Sequence, residues 1–167
     1  MRTRKLTSLA LFATLALAIY SAESLLPPIV PIPGIKLGLA NIITLLILHL
    51  YDARSAAMVL LARILLSALL FGQAMSLFYS LCGGLLCFIA MALSCRLLQG
   101  HFPELTSIVG GIFHNIGQLL AALLITAVPG VLVYLPYLLL SGAVTGLFTG
   151  LCARFALSRL RRFRPLP

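Results

Sequence analysis

The sequence predicts an all-α, polytopic membrane protein: one bundle of six transmembrane helices with both termini on the cytoplasmic side. Three observations predict it. The 167 residues are 62% hydrophobic and only 9% charged, where a soluble domain carries about 25% charge. Charged and turn residues cut the chain into apolar blocks at 6–26, 36–51, 55–72, 76–98, 105–127 and 133–153, followed by a basic tail at 154–167. Each block can be weighed against the ~20 residues a helix needs to cross ~30 Å of hydrocarbon. Ten of the twelve Lys and Arg residues then fall on one face, which the positive-inside rule makes the cytoplasmic one. Five or seven spans would put the two basic ends on opposite faces.

Span one follows Arg2, Arg4 and Lys5. Its apolar part exceeds the ~7–15 residues of a signal peptide, and no small-x-small cleavage site follows, so it is expected to be retained. Ala10, Thr14, Ala18 and Ala22 recur every four residues and make one face nearly smooth. Small faces let helix backbones approach closely in lipid. This face can serve internal packing or dock another membrane subunit.

The external link at 26–34 has four prolines in seven residues. Regular helix is excluded there, and the apolar segment is expected to fold over the outer mouth as a lid or plug. Span two starts near Lys36 and is short, with His49 and Asp52 at its inner edge. Arg54 separates it from span three, which is apolar except for Arg63 near its middle. Span four carries Ser76, Ser80 and Gly84 on one side and ends at Arg96. Cys82, Cys87, Cys95 and Cys152 lack metal-ligand spacing and read as small packing residues. His101 and Glu104 fall in an inner loop, where Glu104 is expected to be solvated. Span five carries His114, Asn115 and Gln118. Pro136 suits the first turn of span six, whose Gly142, Gly146 and Gly150 suit internal packing.

The polar residues converge on the outer half of the bilayer. Glu23 ends span one, Lys36 and Asn41 open span two, and Arg63 and His114 sit at mid-span with Asn115 and Gln118 above. At 100° per residue His114 and Gln118 share a face, with Asn115 beside it. A guanidinium at a helix centre costs roughly 2.5–3.5 kcal/mol on insertion scales, so such groups face inward, find partners and mark sites. Glu23 could neutralise Arg63 or Lys36. The expected ligand-binding set is Glu23, Lys36, Asn41, Arg63, His114, Asn115 and Gln118, although Asn41 and Gln118 alone could be interhelical glue.

Catalytic patterns are missing: no paired carboxylates, no H-E-x-x-H, no G-x-S-x-G and no Walker A loop. No catalytic residue, metal site or cofactor is expected. The net charge of +9 is explained by topology, with anionic lipid headgroups and not nucleic acid as its partner.

Three segments carry a resemblance: Pro31-Ile32-Pro33-Gly34-Ile35-Lys36-Leu37-Gly38-Leu39-Ala40-Asn41, then Gly110-Gly111-Ile112-Phe113-His114-Asn115-Ile116-Gly117-Gln118, then Tyr134-Leu135-Pro136-Tyr137 leading to Ser141-Gly142-Ala143-Val144-Thr145-Gly146. The chain resembles the Gx transporter family, also called heptaprenyl diphosphate synthase component I. That family is similar to the substrate-binding S components of energy-coupling factor transporters. The resemblance implies a bacterial cytoplasmic membrane protein that captures a vitamin- or cofactor-like molecule from outside. It also implies docking on an energising module through the small face of span one. The second expectation is a membrane accessory to a separate prenyltransferase subunit. Prenyl diphosphate synthases hold magnesium diphosphate with acidic clusters, and this chain has a single aspartate, Asp52.

Overall fold

A computed structural model of the chain describes residues 2–25, 36–71 and 74–163. The proline-rich link at 26–34, expected to act as a lid, lies outside these residues. Among the described residues every regular element is helical: α1 Arg2–Glu23, α2 Asn41–Leu50, α3 Ala53–Phe71, α4 Ala74–Leu97, α5 Pro103–Thr126 and α6 Leu135–Phe163, with a 3-10 turn over Pro129–Tyr134 leading into α6. All but α2 are long and apolar enough to cross a membrane.

The short α2 corrects the expected span at 36–51. It has 10 residues, about 15 Å at 1.5 Å per residue, or half the hydrocarbon thickness. Residues 36–40 are not helical. Gly38 has φ +80, a left-handed conformation that only glycine adopts without strain. The Glu23 carboxylate accepts hydrogen bonds from the Gly38 and Leu39 N–H groups at 2.6 and 2.9 Å. A side chain on another helix thus takes the amides that would have opened an earlier turn.

The basic segments share one end of the bundle. Lys5 at the start of α1 bridges Asp52, in the α2–α3 turn, at 2.6 Å. The Asp52 carboxylate also caps α3, accepting from the Ser55 N–H at 2.8 Å. Gly100, in the α4–α5 turn, lies beside His49 at the end of α2. Arg154 of α6 bridges Glu104 at the start of α5 at 2.6 Å, and the Glu104 side chain is only 14% exposed. Glu104 is therefore an ion-pair partner, not the solvated residue expected from its loop-like surroundings.

The Lys5 hydrogen bond, with those from Ser55, holds the Asp52 carboxyl down at about 2. Its folded pKa lies below the unfolded value of ~3.9. The stabilisation is therefore present above that value and disappears as pH falls through about 2. Both side chains are more than 40% exposed, so the pair is worth under about 1 kcal/mol. Lys5→Met is expected to lower the melting temperature slightly at neutral pH, with the difference from the parent vanishing below pH 2; a melting series in detergent across pH measures it.

Two apolar cores hold the helices. One joins Leu9 and Ala16 of α1, Leu45 and Ile47 of α2, Val59 of α3, Cys87 and Met91 of α4, and Leu157 of α6. The other joins Tyr79 of α4, Leu119 and Ala122 of α5, and Leu138 of α6. The two small-residue stripes have different fates. Gly142 and Gly146 of α6 pack backbone to backbone on Gly111 and Ile108 of α5. Ala10, Thr14, Ala18 and Ala22 are all exposed, because α1 buries Leu9, Ala16, Tyr20 and Glu23 instead.

Candidate ligand site

The site begins with the last turns of α1. Tyr20 and Glu23 are three residues apart, so they share a face, and each is 5% exposed. The Tyr20 hydroxyl hydrogen-bonds the Ser76 hydroxyl of α4 at 2.6 Å. Its ring carries the Lys36 ammonium 3.4 Å from the centroid. The Arg63 guanidinium lies 5.5 Å from the same centroid. Lys36 Nζ also donates to the Ser24 hydroxyl. One aromatic ring thus gathers two cations, Lys36 and Arg63, an attraction worth about 0.5–2 kcal/mol each.

Arg63 comes from the face of α3 that also buries Leu60, Ile64 and Ser67. It meets α4 at Gly84, next to Gly83, which faces α5. A Cβ at Gly84 would lie 3.8 Å from Arg63 Nη2, and one at Gly83 would lie 3.0 Å from His114 Cε1 and 2.8 Å from Gln118 Cγ. The guanidinium and the imidazole therefore reach the same turn of α4 from α3 and α5. On its other side the His114 ring abuts Gly38, where a Cβ would lie 2.6 Å from Cδ2 and 2.8 Å from Asn41 Nδ2. Gln118 Oε1 accepts from the Lys36 backbone N–H at 3.3 Å.

The structure therefore brings Glu23, Lys36, Asn41, Arg63, His114 and Gln118 together. Asn115 stands apart. Its amide donates to the Leu138 carbonyl at 2.7 Å and to the Ser141 hydroxyl at 3.1 Å, which joins α5 to α6. One residue of helical rotation separates it from the cluster. Glu23 forms no ion pair within 4.0 Å with Arg63 or Lys36 among the described residues, since both its oxygens serve the Gly38 and Leu39 amides.

Arg63 and His114 are 4% and 3% exposed. Arg63 Nη2 and both ring nitrogens of His114 are buried and reach no well-formed hydrogen bond among the described residues. The Gly83 backbone is the polar group nearest the imidazole, a loose contact at best. Buried polar groups are nearly always satisfied, so orphans of this kind call for a reason.

Sequence reasoning missed Tyr20 and Ser76. Tyr20 could have been found from its position one turn before Glu23. Ser76 was visible only as part of a packing stripe. Among the described residues no three His, Cys, Asp or Glu side chains gather as a metal-binding set.

A family model described as heptaprenyl diphosphate synthase component I matches residues 12–156. No curated protein and no solved structure matches the chain.

Proposed function

The chain belongs to the heptaprenyl diphosphate synthase component I family, and on that premise we propose that it is a membrane subunit that captures a small molecule. The ligand is vitamin- or cofactor-like and is taken from the extracytoplasmic side of the bacterial cytoplasmic membrane. The observation that carries this reading is the pair Arg63 and His114, buried on two helices with nitrogens left unpartnered. Ionisable groups inside a bundle are costly and tend to be kept for function. Glu23, Gln118 and the Tyr20–Lys36 contact position the surrounding backbone.

The chain carries no ATP-hydrolysing motif, so transport would draw its energy from a partner or a gradient. The exposed stripe Ala10, Thr14, Ala18 and Ala22 is the face on which a helical energising module would pack.

Native mass spectrometry of the purified protein tests capture. The wild type is expected to carry a small molecule that His114→Ala loses while keeping its melting temperature within a few degrees. Equal retention by His114→Ala would sink the reading. Ala18→Leu is expected to leave fold and retention unchanged and to abolish co-purification with the energising module.

The family description favours a second reading, a membrane accessory to a separate heptaprenyl diphosphate synthase subunit. It predicts co-purification with a soluble prenyltransferase that survives His114→Ala.

A further inference from the structure

We infer that the molecule held at this site carries an oxyanion, a carboxylate or a phosphate, which supplies the opposite charge that Arg63 lacks. This rests on the capture reading above.

The sequence contains three acidic side chains in all: Glu23, Asp52 and Glu104. Asp52 is bridged to Lys5 and Glu104 to Arg154, both at the basic end of the bundle. Glu23 is near enough to act on Arg63 through space, yet each of its oxygens is already engaged by a backbone amide, at 2.6 and 2.9 Å. No side-chain carboxylate of this chain is left to neutralise Arg63 at contact distance. Residues 26–35, 72–73 and 164–167 add none, because they contain no Asp or Glu.

A buried cation without its partner is strongly destabilising. Lys36 deepens the imbalance, since its ammonium sits on the same Tyr20 ring. With one carboxylate against two cations, the outer-half cluster holds an excess positive charge. The unpartnered Nη2 of Arg63 and the buried His114 imidazole supply hydrogen-bonding directions as well as charge. A planar guanidinium fork matches the paired oxygens of a carboxylate or phosphate better than a spherical anion. The imidazole, at the same α4 turn, can donate to an oxygen of the same ligand.

The test compares the wild type with Arg63→Met in detergent. Molecules released on denaturation are identified by mass spectrometry. The wild type is expected to release an acidic molecule, and its acid group states whether the oxyanion is a carboxylate or a phosphate. Arg63→Met is expected to fold with equal or higher melting temperature and to bind that molecule at least about 100-fold more weakly. Melting is also followed with inorganic phosphate, acetate and chloride at equal ionic strength. A rise with phosphate or acetate that exceeds the chloride response and is absent in Arg63→Met supports the inference. Release of a neutral or cationic molecule, retention unchanged in Arg63→Met, or a chloride response equal to the others overturns the oxyanion and leaves capture standing. A wild type that releases nothing and responds to neither phosphate nor acetate overturns both.

Discussion

Glu23→Ala is expected to destroy ligand retention and to lower the unfolding free energy by about 2–6 kcal/mol. The estimate follows from two backbone amides, those of Gly38 and Leu39, that lose their acceptor together, at about 1–3 kcal/mol for each orphaned group. Glu23→Gln keeps one acceptor oxygen but brings an NH2 against an N–H, so roughly half the loss is expected. Denaturant titration in mixed micelles gives the energies, and amide exchange at Gly38 and Leu39 locates the opening. A Glu23→Ala protein within about 1 kcal/mol of wild type would show that the carboxylate does not hold this segment in place.

Gly111→Val is expected to disrupt the α5–α6 pairing at a cost of about 3 kcal/mol or more, the upper range for overpacking. A Cβ at Gly111 would press on the Gly142 carbonyl oxygen and lie 3.2 Å from the Gly146 Cα. Both neighbours are backbone, so relief requires the helices to part. Parting them would also break the Asn115 bonds to Leu138 and Ser141 and the Ser107–Thr149 hydroxyl pair. Gly130→Ala is the control: its Cβ would meet nothing nearer than 3.6 Å, and a change within about 0.5 kcal/mol is expected. Monodispersity on size exclusion and the melting temperature separate the two variants. Equal melting of both would refute the close-packed α5–α6 contact.

Hydropathy found the helices well and their ends poorly. The apolar block at 133–153 was expected to end where the arginines begin, but α6 continues to Phe163. Arginine is a good helix former, so the change in composition does not end the helix. Likewise α1 begins at Arg2, ahead of the apolar block at 6–26, and stops at Glu23. The start of α2 was hidden for a different reason. Lys36-Leu37-Gly38-Leu39-Ala40 is apolar enough to look helical, and the carboxylate that intercepts its amides lies 15 residues upstream of Gly38. No local pattern encodes such a contact.

The site was legible as a set of residue types because charge is scarce in this chain. With three acids among 167 residues, each polar residue inside a span stood out. Which of them would meet could not be read. His114 and Asn115 are neighbours in sequence, yet one abuts Gly38 and Gly83 and the other bonds α6. The smooth stripe on α1 and that on α6 look alike in sequence, and only the packing of α1 through Leu9, Ala16 and Tyr20 shows that its stripe faces outward.

The half-length α2 constrains how the protein can be made. Ten residues are too few to be released into lipid as an independent span during synthesis. With only Tyr51 and Asp52 between them, α2 has to enter with α3 as a helical hairpin. The amides just ahead of it would stand bare in hydrocarbon, a condition lipid does not tolerate. Those of Gly38 and Leu39 are met by Glu23, already synthesised, but that of Lys36 is met by Gln118, which emerges from the ribosome more than 80 residues later. Until then the hairpin is an unfinished intermediate, open to the proteases that clear unassembled membrane chains, and nascent chains cut off before α5 are expected to be short-lived.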